Sequence, residues 1–338
     1  MNQRNHLPPP ACIWLPLALA ACGDATAPGV PDPWMAFASN RDGNEEIYVA
    51  DQAGRVTNLT SHPARDRNPV WSPDGSRIAF VTDRDGNDEI YVMSLTGDLL
   101  NLTKDMGRDV DPAWSPDGAR LAFTTDRDGN EEIYVVDASG LRSDNVTNHP
   151  EGDWDPAWSP DGTRIAFTST RASRADVYVT NLDGSGLVNV TNAPNSDDVA
   201  PVWSPDGSRI AFETNRDGNS EIYLVNPDGT AALNLTQNPA HDHHPVWSPD
   251  GLRIAFETNL AGNWEIYIVA RDGSESRDLT NLGSHDSGPR WTPDGSAVAF
   301  ETNRAGNWEI YMMQSHGRDA PVRLTNSPAS EKSLRWRP

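Results

Sequence analysis

The stretch Pro69-Val-Trp-Ser-Pro-Asp-Gly-Ser-Arg-Ile-Ala-Phe80 decides the fold. It joins two short apolar runs across Ser72-Pro73-Asp74-Gly75. That tetrapeptide is a turn: Pro presets φ at its second position, Asp tolerates the third, and Gly closes it. Downstream come a polar loop, then Glu89-Ile-Tyr-Val92, then Asn101-Leu-Thr103. Each piece is a short apolar or β-branched run bounded by turn residues, as strands are. No segment sustains a 3.6-residue hydrophobic period. The four pieces are labelled A (Pro-x-Trp), B (Ile-Ala-Phe), C (Glu-Ile-Tyr) and D (Asn-Leu-Thr).

The same unit recurs along the chain. Phe37, Phe80, Phe123, Phe167, Phe212, Phe256 and Phe300 are spaced 43–45 residues apart, and each is followed by a Tyr 11 residues later. A third series runs Trp71, Trp114, Trp158, Trp203, Trp247, Trp291 and Trp336. Four short strands per unit at this period is the signature of a β-propeller blade. The ends set the closure. The first unit begins near Trp34 with strand B and lacks strand A, whereas Leu334-Arg335-Trp336 is a strand A with nothing after it. The C-terminal strand therefore completes the first blade. The expected fold is an all-β, seven-bladed propeller with four-stranded blades, closed 3+1 and spanning residues 34–338. Such a seam leaves no open sheet edge.

The Trp-Ser-Pro-Asp-Gly…Ile-Ala-Phe…Glu-Ile-Tyr…Leu-Thr pattern resembles the WD40-like (PD40) repeat of the TolB propeller. It covers about nine-tenths of the chain. Similar repeats build the propellers of prolyl-oligopeptidase-type peptidases and of oligogalacturonate lyase. The resemblance implies a propeller and an envelope setting. TolB's own partners do not carry over, because this chain has seven repeats rather than six, no N-terminal α/β domain, and a lipobox-like segment.

That segment lies at the N-terminus. After Arg4, an apolar run from Ala11 to Ala21 is too short to span a bilayer and reads as a signal peptide over residues 1–21. It ends in Leu19-Ala20-Ala21-Cys22, which resembles the bacterial lipobox, with Cys22 as the lipidation site. Gly23 after the Cys favours the outer membrane by resemblance to a known sorting rule. Residues 22–33 are Pro-, Ala- and Gly-rich and read as a tether. An outer-membrane lipoprotein facing the periplasm or the exterior is expected, a monomer held to the membrane only by lipid.

Composition narrows the partners. The chain has 338 residues, with 27 Lys+Arg against 49 Asp+Glu, a net charge of −22. Nucleic-acid binding is excluded in the usual sense, since it relies on cations neutralising phosphates. The charge instead suits basic partners. Two cysteines provide neither a disulfide scaffold nor a thiolate zinc site. No cofactor is expected.

The B–C loop Asp83-Arg-Asp85-Gly-Asn87-Asp-Glu89 has alternating oxygen donors, which raises the question of a divalent cation. The loops Asn259-Leu-Ala261-Gly-Asn263 and Asn303-Arg-Ala305-Gly-Asn307 lose the acids but keep the Gly, so the motif reads as a hairpin turn. An acid stands five residues before each repeat Trp: Asp66, Asp109, Asp153, Asp198, Asp242, Asp286 and Glu331. These are expected to ring one mouth of the central channel, as a cation-attracting funnel or as caps on their own loops.

Function should lie where the repeats differ. His241, His243 and His244 replace the usual polar residues before blade 6, and His285 precedes blade 7. Trp264 and Trp308 stand where other blades have Glu45, Asp88, Glu131, Ala175 and Ser220. Arg290 and Arg335 replace Val or Ala before the repeat Trp. Because strands alternate direction, the D–A and B–C loops share one face. Trp264, Trp308, His241, His243, His244, His285 and Arg290 are therefore expected to bind a protein or peptide, as aromatic residues at interfaces do. The alternative is a carbohydrate-binding or metal-dependent lyase-like propeller using the histidines. There is no Gly-x-Ser-x-Gly nucleophile elbow.

Overall fold

The computed structural model describes residues 33–281 and 283–338. The expected signal peptide, Cys22 and all of the tether but Pro33 lie outside the described residues. Those described form 28 strands in seven four-stranded antiparallel sheets, and no helix among them is long and apolar enough to cross a membrane. Blade 2 shows the pattern: β4 (Asp66–Trp71), β5 (Arg77–Thr82), β6 (Glu89–Ser94) and β7 (Leu99–Asn101) are strands A to D. Blade 1 contains β1 (Pro33–Ser39), β2 (Glu46–Asp51) and β3 (Val56–Asn58), and its innermost strand is β28 (Glu331–Trp336). The sheet order β28-β1-β2-β3 is the expected 3+1 closure.

Strand A begins earlier than the Pro-x-Trp motif indicates. Its pairing with strand B slips between Arg67 and Val70, where Asn68 sits at φ 52°. The equivalent residues Asp111, Asp155, Ala200, His244, Gly288 and Ser333 also have positive φ. This is a bulge repeated in every blade. Proline follows it in blades 2–7, since a residue without an N–H suits a break in the ladder.

The core is a set of seams between blades. Ala36, Ala38, Ile47 and Val49 of blade 1 pack on Trp71, Ile78, Phe80 and Tyr91 of blade 2, and the other seams repeat this arrangement. The seven repeat Phe side chains are the largest fully buried groups. Burying each contributes roughly 1.5–3 kcal/mol. Across each seam the repeat Trp donates its indole N–H to the preceding blade: Trp114 Nε1 reaches Val70 O at 3.1 Å, and Trp336 Nε1 reaches Arg290 O at 3.3 Å.

Strand D is short, so its attachment depends on side chains. Thr103 Oγ1 donates to Glu89 Oε2 at 2.6 Å and accepts Ile90 N–H, while Asn101 Oδ1 accepts Thr103 N–H. The Asn-Leu-Thr motif is thus a structural clip on strand C.

Candidate functional site

Backbone bonds place the D–A and B–C loops on one face. Asp286 N donates to Trp264 O at 2.9 Å, and Glu331 N donates to Trp308 O at 2.9 Å. Each new strand A therefore starts against the B–C loop of the blade before it. On this face the expected aromatic residues meet. The His241 and His243 rings stack at 6.3 Å between centroids, and His243 lies 6.2 Å from His244. His243 is 5.4 Å from Trp264, Trp264 stacks on His285 at 6.2 Å, and His285 meets Trp308 edge-on at 5.4 Å. Lys332 Nζ then lies 4.7 Å from the Trp308 ring. The result is a continuous ribbon from blade 6 through blade 7 to blade 1. Both indoles are half-buried rather than projecting from loop tips. Lys332 was not singled out by the sequence; its placement above Trp308 depends on the closing strand. A cleft of about 250 Å³ adjoins it, lined by Ala38, Ser39, Asn40, Glu45, Ser330 and Lys332.

Beneath the ribbon, carboxylates orient the histidines. Glu213 faces His243 Nδ1 at 2.7 Å and accepts His244 N–H at 2.7 Å. Burial opposes its charge, but these hydrogen bonds prevail and hold its pKa below the ordinary value. Glu257 faces His244 Nδ1 at 2.9 Å and accepts Gly288 N–H at 2.7 Å. Donation of the His244 ring N–H to Glu257 raises the His244 pKa. Glu301 accepts Ser333 N–H at 2.6 Å in the same way.

Arg290 makes no ring contact with the ribbon, but its charge is felt by His244 and Glu257. It lies further along β24 (Asp286–Trp291), and it and Arg335 each donate Nη1 to the carbonyl of the preceding residue, at 2.8 and 2.9 Å. Burial lowers the pKa of both. For Arg335, with the Arg290 charge adding to the effect, it falls to about 9.

Of the two readings of the acidic ring, the structure fits residues tied to their own loops rather than an open funnel. Asp66, Asp109, Asp153, Asp198, Asp242, Asp286 and Glu331 are all fully buried. Each is the first residue of its strand A, and in six blades an arginine from the B–C loop covers it. Arg84 reaches Asp66 at 3.1 Å, Arg127 Asp109 at 3.0 Å, Arg171 Asp153 at 2.8 Å and Arg216 Asp198 at 2.9 Å. Arg304 reaches Asp286 at 3.0 Å and Arg41 Glu331 at 2.8 Å. Each of these arginines also donates Nε to the Ser or Thr ending strand B, at 2.8–3.1 Å. Each guanidinium carbon lies 4.6–5.0 Å from the centroid of the strand C Tyr. The ring binds its own loops instead of facing a channel. A visible signal was an Arg 18 residues after five of the six Asp, with Leu260 at that spacing from Asp242.

The loop oxygens are likewise used structurally. Asp85 accepts from Tyr91 Oη and Asn101 Nδ2, and Asp83 accepts Arg65 N–H. Gly86 has φ 103°, as the hairpin requires. Among the described residues, no three or more His, Cys, Asp or Glu side chains converge on a geometry that could hold a metal ion.

The described residues form a ring of seven repeated four-stranded antiparallel sheets, a β-propeller. Residues 23–105, 96–199 and 188–287 each match the family model described as TolB beta propeller domain, PD40. The chain belongs to this family. Solved structures share the fold. A putative TolB from Agrobacterium tumefaciens is 22% identical with TM-score 0.57, covering 78% of this chain and 95% of its own. TolB from Acinetobacter baumannii is 17% identical with TM-score 0.57, covering 95% and 89%. An oligogalacturonate lyase in complex with manganese is 19% identical with TM-score 0.65, covering 86% and 84%. Comparison with curated proteins returns no match.

Proposed function

We propose that this propeller is a non-enzymatic scaffold of the cell envelope that holds a protein or peptide partner against the D–A/B–C face of blades 6, 7 and 1. The observation that carries this reading is the ribbon from His241 to Lys332, with the half-buried Trp264 between two imidazoles and Trp308 between an imidazole and an ammonium. Large amphipathic rings held rigidly among polar neighbours are what partner hot spots use. The net charge of −22 favours basic segments and makes association sensitive to salt. Attachment through lipidated Cys22 at the outer membrane is part of the proposal. Its support is the Leu19-Ala-Ala-Cys22 motif together with the TolB-type neighbours.

The test is capture from envelope extract of the native host, with the protein and its Trp264→Ala/Trp308→Ala variant as parallel baits. A partner held by the first and lost by the second is the expected result. Equal capture by both baits would remove the ribbon as the contact surface, and no specific capture would remove the scaffold reading.

A further inference from the structure

Blade 6 breaks the rule that the other blades follow. Its B–C loop, between β21 (Arg253–Thr258) and β22 (Glu265–Ala270), carries Leu260 where the others place the arginine. The receptors for that arginine remain. Asp242 is fully buried; its Oδ2 accepts Asn238 Nδ2 at 2.7 Å, and its Oδ1 has no partner at hydrogen-bond distance, although the neutral Thr258 and Thr236 hydroxyls stand near enough to favour its charge. Asp109 and Asp153 also leave one oxygen bare, but each has an arginine on the other. Thr258 Oγ1 accepts only the Leu260 N–H, at 3.3 Å, and lacks the Nε donor found elsewhere. The Phe256 and Tyr267 rings keep their pairing at 6.0 Å, and among the described residues no cation lies over them.

The loop itself keeps its shape. Gly262 N donates to Asn259 O at 2.9 Å with φ 97°, matching Gly86 and Asp83 in blade 2. Asn259 Oδ1 accepts His241 N–H at 2.9 Å, as Asp83 accepts Arg65 N–H. The slot is one side chain deep, because the arginines filling it elsewhere remain 9–24% exposed. Leu260 is 45% exposed, so its side chain covers the position only in part. His241 ties the slot to one end of the aromatic ribbon.

We infer that blade 6 takes from its partner the arginine side chain it lacks, with the guanidinium on Asp242, Nε on Thr258 and its plane over Tyr267. A buried carboxylate is better served by a forked, charge-assisted donor than by neutral amide and hydroxyl donors. Six blades of the same chain show the geometry the incoming group would adopt. The inference rests on reading this face as a partner site, but it is tested separately.

The intact protein is titrated with L-argininamide and, separately, L-lysinamide, followed by calorimetry and thermal melting. Saturable millimolar argininamide binding, at least about fivefold tighter than lysinamide, is expected for a forked donor. Leu260→Arg should abolish that binding and raise the melting midpoint, because the chain then fills its own slot. Leu260→Ala, which opens the mouth without adding a donor, should bind argininamide more tightly. Absence of saturable binding, or unchanged binding in Leu260→Arg, would overturn the slot; equal affinity for lysinamide would overturn its guanidinium selectivity. If argininamide fails to bind while the tryptophan variant still loses its partner, the slot falls and the face stands. If argininamide binds while that variant still captures the partner, the slot stands and the ribbon does not.

Discussion

The indole Nε1 of Trp71 donates to the carbonyl oxygen of Arg335 at 3.3 Å, across 264 residues of sequence. Six equivalent bonds join the other blades, but this one spans the seam where the end of the chain meets blade 2. Trp71 is almost fully buried. Trp71→Phe removes the bond and part of the indole volume, so a loss of about 1–3 kcal/mol is expected. Equilibrium urea unfolding measures it. A change within a few tenths of a kcal/mol would mean the seam does not depend on this bond.

The clip between strands C and D makes a second prediction. Thr103→Val keeps the shape but removes the hydroxyl that donates to Glu89 and accepts Ile90 N–H. A carboxylate hydrogen bond of this kind contributes about 1.5–3 kcal/mol. Hydrogen exchange should speed up in Leu99–Asn101 more than in Arg77–Thr82. Uniform acceleration across blade 2 would instead indicate that the threonine supports the whole sheet.

Asp155 predicts a pH dependence. It lies at a bulge with φ 56°, and burial, then the nearby Asp111 charge, push its pKa up to about 6. The fold therefore favours the protonated form. Its contribution is fully present below the unfolded value near 3.8 and is lost as pH rises through about 6. Asp155→Asn keeps a residue tolerant of positive φ and abolishes the charge. It should stabilise the protein by roughly 1–3 kcal/mol at pH 7 and by almost nothing at pH 4. A gain of equal size at both pH values would assign the effect to packing.

Within the ribbon, Trp264 and His285 stack at 6.2 Å. If both contact the partner as one surface, Trp264→Ala and His285→Ala should not add. A coupling of about 0.5–1.5 kcal/mol is expected in a double-mutant cycle on partner affinity. Strict additivity would separate the two residues into independent contacts.

Most of the fold was legible because each blade repeats its chemistry. Phe80, Tyr91 and Trp114 recur at fixed spacing, and Leu334-Arg335-Trp336 supplied the strand missing from the first unit. The ribbon was legible as departure from the repeat, since Trp264, Trp308 and His285 stand where other blades vary among polar and small residues. Two features were hidden. The role of Arg84 depends on a contact between two loops, which the alternation of strands does not reveal. Its absence at Leu260 was visible, but a lost arginine matters only once its buried acid is known. Lys332 joined the ribbon because β28 folds into blade 1, placing it 4.7 Å from a ring that precedes it by 24 residues.

Confining the aromatic ribbon to blades 6, 7 and 1 also sets the stoichiometry that the proposed binding would have. Seven equivalent units could accept seven equivalent guests, in any rotational setting. One marked sector gives the disc a single azimuth, so a guest of the proposed kind would dock off-axis, once per ring, and in one orientation. The proposed complex is one-to-one and lopsided, its mass displaced toward the seam where the ring is closed by its own final strand.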